Sequence, residues 1–270
     1  MSIGHTKAMY TPRMGGLGIY IAFVCPMLML YYFDDTQKGI MLGSGIALLI
    51  GILDDVWGVK ATIKLISIFL LTLLLKKYGV TSNLPFQKFG VNSDIANTVV
   101  SLVWIAGITS AINALDHMDG LAGGVSLVAC LSYFAVSLQT YNFFWGLISI
   151  SLAGAMLGFL FFNKNPAKIF MGDSGSFFIG FTLAATGLMG GWSSNPIKAS
   201  IIPVLILSLP IFDLAFVIIS RHLNGTTKTL REAITYCGKD HIGHRMIKLG
   251  FSQKSAAWII CIFSLAVSIS

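Results

Sequence analysis

Apolar residues run along this chain in long, nearly unbroken stretches, separated by short polar connections. Nine such stretches stand out: 15–33, 39–53, 61–75, 96–112, 120–138, 143–162, 174–191, 199–219 and 255–270. A hydrocarbon layer about 30 Å thick needs roughly 20 mostly apolar residues per helical crossing. The pattern therefore predicts an all-α, polytopic transmembrane bundle of about nine spans, several of them short for a full crossing. One longer hydrophilic stretch, residues 221–254, exceeds a simple connection and is expected to carry function. Superposing the stretches gives no internal repeat, which disfavours a transporter built from repeated halves. The first residues, Met1 to Arg13, are polar and lead straight into the apolar runs, so no cleavable signal is expected and one membrane domain spans 1–270.

Composition sharpens the picture. Of 270 residues, 55% are apolar and 11% charged, against about a quarter charged in soluble domains; a water-soluble globule is excluded. Cys25, Cys130, Cys237 and Cys261 show no C-x-x-C spacing and read as small buried hydrophobes. The net charge of +7 would suit nucleic acid only as a basic stripe interleaved with aromatics; here the charges are dispersed, so no nucleic-acid partner is expected. They report orientation instead. With the N-terminus in the cytoplasm, only Lys38, Lys76, Lys77, Lys88 and Lys198 of the 18 lysines and arginines fall outside, as the positive-inside rule requires. The same zigzag brings Asp54, Asp55, Asp116, Asp119, Asp173, Glu232 and Asp240 to the inner face of the cell (inner) membrane, so a cytoplasmic active site is expected.

Four constellations carry candidate chemistry. Asp54 and Asp55, between Gly51 and Gly58, are adjacent carboxylates at a membrane boundary and call for a cation or lysine to compensate them. Asn113, Asp116 and Asp119 recur every third residue, roughly on one face if helical, and precede Gly120, Gly123 and Gly124. Their oxygen donors suit Mg²⁺ or Mn²⁺ better than zinc; His117 between them reads more readily as a bystander than as a ligand. Asn163 to Ser176 ends in Gly172-Asp173-Ser174-Gly175-Ser176, where a helix start suits phosphate and Asp173 suits metal. The long inner loop holds Arg221, Arg231, Lys239, Asp240, His241, His244 and Arg245; His241 and His244 can meet on one face and donate to a pyrophosphate. Asp213, inside the eighth stretch, needs a partner, structural or catalytic.

Together these blocks resemble the polyprenyl-phosphate N-acetylhexosamine-1-phosphate transferase family. Thr11 to Gly16 is similar to its first cytoplasmic loop, Asp54-Asp55 to its aspartate pair, Asn113, Asp116 and Asp119 to its N-x-x-D-G-x-D-G segment, and Asn163 with Phe170 to Ser176 to its metal-binding loop. The chain departs from the family at His117, where glycine is usual, and at Gly243, where a third histidine is common. Its register is shifted near His5 and Lys7, and the family's first span and last one or two spans are absent. The histidine pattern is nearer the teichoic-acid and common-antigen branch than the peptidoglycan translocase.

The resemblance implies transfer of N-acetylhexosamine-1-phosphate, most simply GlcNAc-1-phosphate, from a UDP-sugar to polyprenyl phosphate in the bilayer, releasing UMP. It implies Mg²⁺ (or Mn²⁺) at Asp173 and Asp119, with Asp116 nearby. Asp54 or Asp55 would be the base for the lipid phosphate, with His241 and His244 as further catalytic groups. Asn113, Asn163, Lys60, Arg221 and Arg245 would contact substrate, among membrane lipids, in a monomer or homodimer. The alternatives are a phospho-MurNAc-pentapeptide translocase, a cation-coupled transporter and an inactive family member.

Overall fold

The computed structural model describes residues 11–29, 33–188, 191–227 and 240–268, together with 229, 232 and 238. His5, Lys7, Lys228, Arg231, Cys237 and Lys239 lie outside the described residues. Among the described residues every regular element is helical: α1 (Gly15–Leu28), α2 (Asp35–Trp57), α3 (Ala61–Lys77), a 3-10 turn (Phe86–Phe89), α4 (Ser93–Leu115), α5 (Leu121–Gln139), α6 (Phe143–Asn163), α7 (Gly172–Leu188), α8 (Pro196–Ile206), α9 (Ser208–Leu223), α10 (Ile242–Lys248) and α11 (Gln253–Ser268). Each of the nine apolar stretches meets a helix. Four helices, α2, α4, α5 and α6, are long and apolar enough to cross a membrane, and the bent pair α8–α9 makes five if counted as one crossing.

The pair α8–α9 corrects the expectation of a single straight segment over 199–219, because the two helices meet at 72°. Pro210 has no N–H to donate to the carbonyl of Ile206, so the helical ladder breaks at the intervening Leu207. Local signals fix other boundaries. Asp34 accepts from the backbone of Gln37 while Gln37 reaches back to Asp34, a capping box that starts α2. Asn195 caps α8, with Pro196 at its first position.

α7 is the hub. Every residue from Ser174 to Gly187 is buried, the signature of a helix apolar on all sides and enclosed by others. It packs on α1, α2 and α4, while α5 and α6 form a hairpin against which α11 lies. The approach of α2 to α7 is close enough that a Cβ on Gly51 would overlap the backbone of Asp173 and Ser174; glycine is the residue that allows it. This contact carries the aspartate pair at the end of α2 to the first turn of α7.

Candidate functional site

The turns 58–60, 116–120 and 164–171 gather at one end of the bundle, with the segments that lead into α1 and α10. Backbone bonds knit them: Gly15 N–H donates to Phe170 O, Gly16 N–H to Met171 O and Phe170 N–H to Pro12 O, all near 3.0 Å. Asn163 is buried, and its amide is a two-way clamp, accepting from Gly120 N–H at 2.9 Å and donating to the Ile169 carbonyl at 2.9 Å. Asp119 accepts through Oδ2 from Asn165 Nδ2 at 2.9 Å and Ala167 N–H at 3.0 Å. The loop before α7 is thus strapped to the α4–α5 turn.

Asp55 faces the start of α7, where helix N–H groups lack partners. Its carboxylate accepts from Asp173 N–H (2.8 Å, Oδ1) and Ser174 N–H (2.9 Å, Oδ2), a charge-assisted fork at the positive end of the helix dipole. Asp54 accepts from Val59 N–H at 2.7 Å and forms an ion pair with Lys64. Lys64 was not singled out in the sequence; Lys60 was, and it is exposed at the start of α3. The helix start places Lys64 one turn beyond Lys60, and only that geometry shows which lysine answers the call for compensation. Asn113 donates through Nδ2 to Asp173 Oδ1 and Ser176 Oγ.

Asp55, Asn113 and Asp173 wall a cavity of about 360 Å³ that also receives Arg13, Asp116, His117 and Asp119, whereas Asp54 and Lys64 lie outside its lining. Burial, then the negative charges of Asp173, Asp55 and Asp119, push the Asp116 carboxyl up to about 8. Crowded carboxylates of this kind invite a cation. Among the described residues no group of three His, Cys, Asp or Glu side chains is arranged to hold a metal alone. Mg²⁺ does not need one, since it keeps several waters and commonly binds through one or two carboxylates plus substrate phosphates. Asp173 and Asp116 fit that mode; Asp119 has one oxygen committed to strapping the loop.

The histidines approach from the other side. Asp213, buried, accepts from His241 Nδ1 and from Ile242 N–H, each at 2.7 Å, so its partner is the histidine loop. Arg221, buried, forks onto Asp240 with two bonds of 2.7 Å, and the Asp240 carboxyl is held below the usual carboxylate range chiefly by that hydrogen-bonded guanidinium. Arg245 donates to the Asp240 carbonyl and Ser220 Oγ and lies over the Phe216 ring at 4.6 Å. Both arginines therefore tie the loop and α10 to α9, and the structure does not bring them into the acidic cavity. His117 stacks at 4.5 Å from the His244 ring and 5.2 Å from the His241 ring. The sequence reading as a bystander missed this, since nothing local links position 117 to position 244. Burial, the largest influence on His117, lowers its pKa to about 4 and keeps it neutral.

Beside the acidic cavity lies an apolar groove of about 560 Å³ between α5, α6 and α11, lined by Leu127, Leu157, Phe161 and Trp258 and ending at Asp119, Lys164 and Lys254.

Comparison with known proteins finds a match to the model of glycosyl transferase family 4 over residues 38–191, more than half of the chain. The probable undecaprenyl-phosphate N-acetylglucosaminyl 1-phosphate transferase of Bacillus subtilis is 34% identical over 98% of this chain and 73% of its own length. The decaprenyl-phosphate N-acetylglucosaminephosphotransferase of Mycolicibacterium smegmatis is 29% identical over 93% of this chain and 68% of its own. A phospho-N-acetylmuramoyl-pentapeptide-transferase of Clostridium botulinum is 37% identical, but over 68% of this chain and 61% of its own.

Proposed function

The chain belongs to glycosyl transferase family 4, and from that membership we propose that it transfers N-acetylglucosamine-1-phosphate from UDP-N-acetylglucosamine to a polyprenyl phosphate, releasing UMP. The names of the relatives matched along nearly the whole chain, an undecaprenyl-phosphate N-acetylglucosaminyl 1-phosphate transferase and a decaprenyl-phosphate N-acetylglucosaminephosphotransferase, support a polyprenyl phosphate as acceptor. The observation that carries the reading is the junction of two cavities at Asp119: a polar, acid-rich one and an apolar groove with Lys164 and Lys254 at its mouth. A nucleotide sugar suits the first, and a lipid phosphate suits the second, with its tail along α5 and α11 and its charge at the lysines.

Two polyanions must meet, so rate enhancement comes mainly from positioning and charge neutralisation. Bound Mg²⁺ would supply electrostatic stabilisation of the pyrophosphate as negative charge shifts toward the leaving UMP. Asp173 and Asp116 would hold it. Asn113 orients Asp173, and Asp55 fixes the first turn of α7 that carries it. Asp54 and Asp55 act as braces in this reading, since a lipid phosphate is already largely ionised near neutrality and needs little help from a base. His241, oriented by Asp213, donates toward phosphate with His244. The lipid phosphate oxygen attacks the β-phosphorus, the bond to the α-phosphate oxygen breaks, and UMP departs. We assign this site to the cytoplasmic side of the cell membrane, where nucleotide sugars are made; the excess of lysine and arginine in the connections at that end supports the assignment.

UMP release by the purified chain with Mg²⁺, undecaprenyl phosphate and a panel of UDP-sugars tests the reading. UDP-N-acetylglucosamine should be the fastest donor, and Asp173→Asn should abolish turnover at ordinary Mg²⁺. Faster turnover of UDP-N-acetylmuramoyl-pentapeptide would replace this reading with the translocase.

A further inference from the structure

His117 projects from the α4–α5 turn, the same turn that carries Asp116 and Asp119, yet its ring leaves that turn to lie against His241, at the start of α10, and His244, within it. Its Nδ1 is 2.7 Å from the Ala114 carbonyl, which can only accept, so Nδ1 carries the proton. Its Nε2 is buried with no hydrogen-bond partner. An orphaned buried acceptor is destabilising, a cost a bystander histidine would avoid by turning to solvent. The rings of His241 and His244 are tilted by 30° and 33° to that of His117. On the far side, Gly243 has no side chain where a Cβ would stand 2.9 Å from His117 Nε2 and overlap Met118 Sδ. The flexible end of Met118 and the ring of His117 together occupy the volume that a side chain at 243 would need, and α10 descends onto them.

We propose that His117 is a positioning residue of the transfer site: it lines the acidic cavity, and its ring packs on those of His241 and His244, so it holds these two imidazoles beside that cavity. This deepens, and rests on, the reading of the site as one for a sugar pyrophosphate. The geometry makes positions 117 and 243 a reciprocal pair. A larger residue at either is tolerated only if the other is small, and the imidazole, rather than mere bulk, is what the site requires.

The test compares His117→Gly, His117→Phe, Gly243→His and the double exchange His117→Gly with Gly243→His in the full chain. For each, UMP release is measured beside calorimetric titration of Mg²⁺ with inorganic pyrophosphate, and thermal unfolding establishes that the variants fold. Each single variant should lose about 10- to 100-fold in kcat and about 10-fold in pyrophosphate affinity. The double exchange should recover both to within a few-fold of wild type. His117→Phe keeps a flat ring without its nitrogens, so wild-type turnover and binding in that variant would mean packing alone and would overturn the proposal. A double exchange no better than His117→Gly overturns it equally. If wild type binds pyrophosphate in this pattern but releases no UMP from any donor, the transferase reading fails while the imidazole pairing stands.

Discussion

Asp116 stands where charge is most crowded, and its carboxyl, raised to about 8, ties stability to pH. Its ordinary pKa is 3.8, so between about 4 and 8 the metal-free folded protein retains a proton that the unfolded chain has released. Folding is then penalised increasingly as pH rises from about 4, and the penalty levels off above about 8. Asp116→Asn cannot ionise and escapes the penalty. Because the carboxyl opens on the cavity, the gain over metal-free wild type at pH 8 is expected to be about 1–3 kcal/mol, with turnover abolished. Thermal unfolding of both proteins with chelator from pH 5 to 8 checks this; curves that stay parallel would show that Asp116 is not desolvated. The acids were legible as a group because short loops between apolar stretches force them to one end. Their individual duties were not. That Asp55 grips the start of α7, that Lys64 answers Asp54 and that Asp213 answers His241 are contacts between segments far apart in sequence, and no local pattern encodes them.

Among the elements, α7 decides whether the site exists. Its first turn holds Asp173 and is itself held by Asp55 from α2, across a contact that admits no side chain at Gly51. Gly51→Ala should push α2 off α7, costing about 1–3 kcal/mol for overpacking, and should draw the Asp55 carboxylate from the two N–H groups it accepts. Asp55→Asn keeps the spacing but turns an amide N–H toward one backbone N–H, with a similar loss of about 1–3 kcal/mol. Both variants should unfold at lower temperature in detergent and lose turnover together. A Gly51→Ala protein as stable and active as wild type would mean that the two helices are not locked as described. The helices themselves were legible from apolar run length, with edges displaced by a few residues: α2 begins at Asp35 rather than 39 because the Asp34–Gln37 capping box extends it into polar sequence. The bend between α8 and α9 is the main departure. Pro203 and Pro210 were its signal, outweighed by a continuous apolar stretch.

At the scale of the whole molecule, the proposed cytoplasmic site commits the bundle to one sidedness. The structure places the acidic cavity, the lysines at the mouth of the groove and the histidine loop at one end of the helices. At the other end lie the 78–92 segment, tied down by Asn97 through Ser82 and Leu84, and the α6 start, where Asn142 donates to Gly191. Positive-inside counting assigns the first end to the cytoplasm, as a site fed by nucleotide sugar requires. Single cysteines in a background without the native ones test the assignment. Ser82 is a poor probe because it is buried and hydrogen-bonded, whereas Asn83, Ser194 and Thr226 are exposed. Asn83→Cys and Ser194→Cys should react with an impermeant maleimide added to intact cells, and Thr226→Cys only after the membrane is opened. Labelling of Thr226→Cys from outside would invert the whole bundle. The cavity would then face away from its donor, and a transferase fed from the cytoplasm would no longer be tenable, however well the individual residues fit.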